Sequence, residues 1–229
     1  MTDNKVQLVA FDFNGTIIAD TQACKEADDA VITAFGGNPP SLSEYRRTII
    51  IPAVEFYRLH GCNRQQLESE PERMGEVFHG FYEPRVCKLR TRKGVRQVLS
   101  YLETESIPAI ILSNHTKWGI EAQLKRWRLQ HSFSAVLANT AGQTSMVQRN
   151  KLEKMSAFLA DGRYNPAKCF IVGDSPEETE IGWQLGMKTV AISGGYYSKR
   201  RLRMAASGRG PHFPIISNMA DLLPIIGSI

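Results

Sequence analysis

Five short apolar runs constrain this chain more than any other feature: residues 8–11, 109–112, 135–137, 170–172 and 189–192. Each is bounded by polar residues or glycine and shows no alternation of apolar and polar positions. That pattern belongs to strands covered on both faces. Helical spacing fills most of the gaps. Val95, Val98, Leu99 and Leu102 precede the second run, and Ile120, Leu124 and Trp127 follow it. Leu152, Met155, Phe158 and Leu159 precede the fourth, and Ile181 and Leu185 follow it, with Gly186 placed to cap the helix. Strands alternating with helices predict an α/β fold, a parallel sheet with right-handed crossovers.

One stretch breaks the alternation. Between residues 17 and 87 no buried strand is legible, and helices are predicted at 21–35, 53–60 and 71–82, the first cut off by the sequence GGNPP at 36–40. Pro52 directly after Ile49-Ile50-Ile51 favours a helix start there over a strand. One helix would suffice for a crossover, so the segment reads as an insertion. The expected organisation is a core domain of residues 1–16 and 88–229 with a helical cap of residues 17–87. A chain of 229 residues can bury a core of that kind.

Composition narrows the setting. The formal charge of +5 is compatible with a phosphorylated substrate and too small to argue for nucleic acid. The basic run Lys199, Arg200, Arg201, Arg203 reads as a solvated helix face. Cys24, Cys62, Cys87 and Cys169 lack metal-like spacing and are expected as reduced thiols in a cytoplasmic protein. The start MTDNKVQLVAF lacks the apolar stretch of a leader, and no apolar run is long enough to span a bilayer. Nothing in the sequence specifies an oligomeric state.

In open parallel sheets, ligands bind beyond the carboxyl ends of the strands. The first run ends in Asp12-Phe13-Asn14-Gly15-Thr16, the second in Ser113-Asn114, and the fourth in Gly173-Asp174-Ser175 with Glu178 close behind. Three strands therefore deliver polar or acidic groups to one edge. Asp12 and Asp174 would repel each other without a cation between them, and they are oxygen ligands of the kind magnesium prefers. A carboxylate such as Asp12 can also attack phosphorus to form an acyl phosphate. Ser113 and Asn114 offer neutral donors to phosphoryl oxygens. Lys151, opening a helix behind Asn150 as N-cap, supplies positive charge; Lys154 one turn later is its competitor.

These motifs, in this order, resemble the haloacid dehalogenase superfamily. VAFDFNGTI matches its strand followed by Asp-x-Asp-Gly-Thr, IILSN its second motif, Lys151 its lysine at a helix start, and GDSPEE its fourth motif. The helical insertion after the first motif is similar to the caps of the phosphoglycolate phosphatase and beta-phosphoglucomutase branch. The resemblance implies a Rossmann-like sheet sandwiched by helices, a Mg2+ cofactor, and a small phosphorylated substrate. It implies Asp12 as nucleophile, and Asp12, the Asn14 carbonyl, Asp174 and Glu178 as the metal shell. Thr16, Ser113, Asn114 and Lys151 would bind the phosphoryl group.

The chain departs from the family at one position. The second aspartate of the first motif is the family's general acid and base, and here it is Asn14. An amide donates a hydrogen bond and cannot shuttle a proton, which removes a contribution of about 10²–10⁴-fold. The expectation is a phosphatase slowed on poor leaving groups. The alternatives are a catalytically weak phosphate-binding module, or another reaction of the superfamily such as phosphonate hydrolysis. The last uses a cap lysine, and the insertion holds only Lys25. Asp20 is expected to cap the first inserted helix, with a carboxylate near the site as the alternative, His115 to be solvated, with a place in the pocket wall as the alternative, and Trp118, Trp127 and Trp183 to lie in the core. Arg46, Arg47 and Arg58 are candidates for reading an anionic substrate tail.

Overall fold

A computed structural model describes residues 5–140, 150–208 and 212–228. The first strand, β1 (Leu8–Phe11), lies at the centre of a six-stranded, wholly parallel sheet. The others are β2 (Ala109–Thr116), β3 (Ala135–Asn139), β4 (Cys169–Gly173), β5 (Lys188–Ile192) and β6 (Ile215–Ile216), in the order β3-β2-β1-β4-β5-β6. The strand order reverses at β1, the position where such sheets open a crevice at their carboxyl edge. All five predicted strands are present. Two-residue β6 was not predicted, because a dipeptide carries no periodicity. β2 runs past its apolar part, through Ser113, Asn114 and His115, with a register irregularity against β3 between Leu112 and Thr116.

Side chains alternate across the sheet, as a strand period of two requires. Val9, Phe11 and Ile111 pack with α6 (Val95–Thr104) and α7 (Lys117–Trp127) on one face. Leu8, Ala10, Ile110 and Ile171 pack with α8 (Lys151–Asp161) and α9 (Pro176–Leu185) on the other. Gly186 ends α9 in the left-handed conformation, φ 71°, as its position predicts. The chain closes with α10 (Lys199–Gly208) and α11 (Leu223–Gly227). No described helix is long and apolar enough to cross a membrane, and all four cysteines are free.

Between β1 and α6 lie five helices: α1 (Thr21–Ala34), α2 (Leu42–Thr48), α3 (Ala53–Leu59), α4 (Arg64–Ser69) and α5 (Pro71–Val86). The three predicted helices are α1, α3 and α5, the last running beyond its predicted end through Pro84. The short α2 and α4 were missed, although each has a capping residue: Ser41 accepts from the Glu44 N–H and Asn63 from the Gln66 N–H. These helices share a cluster of Val31, Ile32, Tyr45, Phe56, Tyr57 and Leu67, which continues onto Ala191 and Leu202 beyond the insertion. Of the three tryptophans only Trp127 is buried. Trp118 and Trp183 are 64% and 50% exposed, a correction to their placement in the core. Helical spacing marks a face without saying whether a neighbour covers all of it.

Candidate active site

Asp12 follows β1 directly, and its N–H donates to the Val172 carbonyl at 2.9 Å, so β4 holds the position. The chain then folds back, with the Ile17 and Ile18 N–H groups donating to the Phe13 carbonyl at 2.9 and 3.0 Å. Gly15 has φ 72°, and a Cβ there would run into the Asp174 carboxylate and the Tyr196 ring. This tight return places the Thr16 hydroxyl 3.3 Å from both Asp12 Oδ2 and Asp174 Oδ1. Two carboxylates from different strands thus meet around one hydroxyl. Thr16 itself is fully buried behind them.

Lys151 opens α8 and its Nζ lies 2.7 Å from Asp12 Oδ1 and 2.6 Å from Glu178 Oε1. Lys154 instead donates to Asn139 Oδ1 at 2.6 Å. The geometry therefore separates the two candidate lysines. Asn150 stands at the N-cap position without making a side-chain cap bond. Glu178 Oε2 accepts from the Ser175 hydroxyl at 2.7 Å and the Ser175 N–H at 3.2 Å, forming the capping box of α9. Asn114 Nδ2 donates to Glu177 Oε2 at 2.9 Å, and Ser113 Oγ accepts from the His115 N–H at 3.1 Å. Asn114 Oδ1 and Thr116 Oγ1 are buried without a hydrogen-bond partner among the described residues, and both residues line the pocket. Thr116 was not singled out from sequence; it lies on the unpredicted extension of β2.

Burial dominates the electrostatics. It pushes the Asp12 carboxyl up to about 7 against the pull of Lys151, with Glu178 adding to the rise. It raises Asp174 well above the ordinary carboxylate range, reinforced by the charges of Asp12 and Glu178. Burial works against the Lys151 ammonium too, yet Asp12, Glu178 and Glu177 outweigh it and hold its pKa well above normal. One ammonium thus stands against several buried acids. A hard cation bound by oxygens fits such a donor set, since magnesium needs one or two carboxylates and keeps several waters. Among the described residues no cluster of three or more His, Cys, Asp or Glu side chains forms a fuller metal cage.

Asp20 departs from expectation. It occupies the cap position of α1 but makes no side-chain cap bond. Its Oδ1 accepts from the Gly15 N–H at 2.8 Å. Its Oδ2 accepts from Asn14 Nδ2 at 2.6 Å, Tyr82 OH at 2.7 Å and Tyr196 OH at 2.8 Å. Asn14 is therefore held as a donor toward Asp20, and Tyr196 closes the network by donating its N–H to Asp174 Oδ2 at 2.5 Å. His115, expected in solvent, lines the pocket stacked on Phe13, and burial lowers its pKa.

The pocket above these groups has a volume of about 200 Å³. Its inner end holds Asp12, Asn14, Ser113, Asn114, Lys151 and Asp174, with Tyr82 OH 2.9 Å from the Asn14 amide, and the inserted helices add Asp28, Tyr45, Tyr57 and Phe78 to the lining. Glu178 lies beneath, fully buried, and is not part of the lining. Arg46 is bonded to the Gly195 carbonyl at 3.0 Å, Arg58 pairs with Glu55, and neither these nor Arg47 line the pocket. Lys25 pairs with Asp29 at 2.5 Å and is also absent from the lining.

Residues 9–192 match the sequence profile of the haloacid dehalogenase-like hydrolases. The chain is 25% identical over 201 residues to a phosphoglycolate phosphatase of Synechococcus elongatus, covering 86% of this chain and 88% of that protein. Among solved structures it is similar to a predicted phosphatase from Clostridium acetobutylicum, at TM-score 0.79 and 13% identity over 98% of this chain and 100% of the other. It is also similar to Protein Tyrosine Kinase A of Mycobacterium tuberculosis, at TM-score 0.75 and 17% identity, over 97% and 99% of the two chains. One fold therefore carries relatives named for opposite reactions, and the site must decide between them.

Proposed function

Because the chain belongs to the haloacid dehalogenase-like hydrolase family, we propose that it is a magnesium-dependent phosphatase acting on a small phosphorylated metabolite through a phosphoaspartyl intermediate. The observation that carries this reading is the meeting of Asp12, Lys151 and Asp174, from β1, α8 and β4, at the inner end of one pocket. Asp12, the Asn14 carbonyl and Asp174 would hold Mg2+, with Glu178 acting on that shell through Lys151 and Ser175. When bound, the ion neutralises charge on the phosphoryl oxygens.

In this reading Asp12 attacks phosphorus, and the ester P–O bond breaks to release the alcohol. Water then attacks the phosphoaspartate, releasing phosphate and restoring Asp12. Lys151 stabilises charge on the transferred group, aided by Ser113, Asn114 and Thr116. Thr16 supports the two carboxylates from behind rather than touching substrate. The departing alcoholate must take its proton from solvent, because Asn14 has none to give. Residues 17–87 act as a cap that shields the intermediate and selects the leaving group. The four free cysteines suit a cytoplasmic setting.

A panel of phosphate monoesters together with acetyl phosphate, assayed with magnesium or EDTA, tests the reading. We expect turnover that requires magnesium and Asp12, fastest on acetyl phosphate. Turnover unaffected by Asp12→Asn removes the nucleophile assignment. Asn14 also favours a second reading, a phosphate-binding module without turnover. That reading gains if magnesium-dependent binding of a phosphate analogue persists while no ester is hydrolysed.

A further inference from the structure

The lining added by the inserted helices contains a carboxylate that the phosphoryl chemistry does not use. Asp28, on α1, is 3% exposed and lines the pocket. Tyr45 OH donates to its Oδ2 at 2.7 Å, and Tyr57 OH donates to its Oδ1 at 2.8 Å. Cys24 Sγ approaches Oδ2 at 3.7 Å. No lysine, arginine or histidine pairs with it among the described residues. The nearest basic side chain in sequence, Lys25, is bound to Asp29 instead. A buried carboxylate is ordinarily paired, because burying an uncompensated charge is unfavourable.

We propose that Asp28 is the specificity residue for the leaving group, and that the substrate is the phosphate monoester of a small amino alcohol, whose ammonium supplies the missing charge. The phosphoryl end of this assignment rests on the phosphatase reading above. Three observations support the tail. Two phenol hydroxyls leave the Asp28 carboxylate with lone pairs to spare, since each ionised oxygen accepts more than one bond. Tyr45 and Tyr57 flank it, Phe78, Tyr196 and Tyr197 add further rings to the same pocket lining, and ring faces attract an ammonium. Lys151 is the sole Lys or Arg of the described lining and is already matched to Asp12 and Glu178. Of the two lining histidines, His79 pairs with Glu83 at 3.2 Å, and burial disfavours the charged form of His115. A carboxylate tail would therefore meet Asp28 with no cation beside it among the described residues. The volume of about 200 Å³ accommodates a phosphate with a few further heavy atoms. Burial pushes Asp28 up to about 6, against the hydroxyls that favour its charged form, so it is still largely ionised at neutral pH.

Three esters of matched length decide the point: phosphoethanolamine, 2-hydroxyethyl phosphate and 2-phosphoglycolate, ending in ammonium, hydroxyl and carboxylate. The expected order of kcat/KM is ammonium first, by about 10-fold or more over hydroxyl, with carboxylate last. In Asp28→Asn the ammonium-to-hydroxyl ratio falls to within about threefold. Calorimetric binding of the same three esters to Asp12→Asn with magnesium gives the order without turnover. Carboxylate binding as well as or better than ammonium overturns the proposal, as does an ammonium preference that survives Asp28→Asn, or no binding of the ammonium ester at all. If Asp28→Asn does not fold, the wild-type order alone decides. Absence of turnover with the binding order intact removes the phosphatase reading, and with it the leaving-group role, and leaves standing only Asp28 as the site of the ligand's ammonium.

Discussion

The two ends of the pocket each hold a buried carboxylate, and they solve the same electrostatic problem differently. Asp12 has an ammonium at 2.7 Å and lies among further acids, Asp174 and Glu178. Asp28 has two phenols and no cation among the described residues. Burial raises both carboxyls, Asp12 to about 7 and Asp28 to about 6. Among the described residues the acids of the inner end outnumber Lys151, the one lysine in contact with them, with the Arg92 guanidinium held on the Gly15 carbonyl. The outer end is short of positive charge because, among the described residues, no cationic side chain pairs with Asp28. We read the first deficit as the place of a metal ion and the second as the place of the substrate's own charge. A charge missing from a folded protein is informative about what binds there.

The largest expected effect separates the two ends outright. Asp12→Asn should lower phosphate release by about 10⁴-fold or more, since the covalent step loses its nucleophile. An equal loss from Asp28→Asn on every ester would erase the distinction between chemistry and selection.

Asn14→Asp sharpens the inner end. The new carboxyl would face Asp20, now 2.6 Å from the Asn14 amide. Two acids at that distance share a proton, which supplies the missing general acid. Turnover of alkyl phosphates should rise by about 10²–10⁴-fold, with little change for acetyl phosphate. A uniform change across leaving groups would contradict this.

Lys151→Met should slow turnover about 10²-fold or more and destabilise the protein by about 3–5 kcal/mol, leaving Asp12 and Glu178 uncompensated. Chemical denaturation with and without magnesium measures the second effect, and magnesium should restore part of it.

The outer end has its own pH signature. The folded-state pKa of Asp28, about 6, lies above its ordinary value of 3.8. The native state therefore holds the proton longer, and the contribution of Asp28 to stability falls as pH rises from about 4 to about 6. Asp28→Asn should gain on wild type by about 3 kcal/mol across that window. Denaturation midpoints at pH 4 and pH 7 check this, and an opposite sign would break the assignment. Tyr57→Phe, which removes one donor from Asp28, should destabilise by about 1–3 kcal/mol at pH 7 and raise the Asp28 pKa further.

Much of the inner end was legible because strand ends are local features. An apolar run terminated by Asp12 or Asp174 declares both the strand and the residue leaving it. The same locality misled elsewhere. Asp20 before α1 reads as a cap, yet its carboxylate turns inward to Gly15, Asn14, Tyr82 and Tyr196. His115 reads as a solvated residue after a strand, yet the strand continues and packs it on Phe13. Tyr45 and Tyr57 had no sequence signal beyond being apolar enough for a core. Their hydroxyls matter only through Asp28, 17 and 29 positions away.

Hydrophobic periodicity and the polar groups closing each run were enough to determine the parallel sheet, the helical character of the stretch after the first strand and the sheet edge to which Asp12 and Asp174 are delivered. These depend on contacts within a few residues, which the order of amino acids states directly. The helix start at Lys151 already favoured it over Lys154, but only tertiary packing set its Nζ against Asp12 and Glu178, turned Asp20 toward Asn14, and placed Asp28 between Tyr45 and Tyr57. Those outcomes depend on the distance between side chains carried by separate elements, which no spacing along the chain encodes.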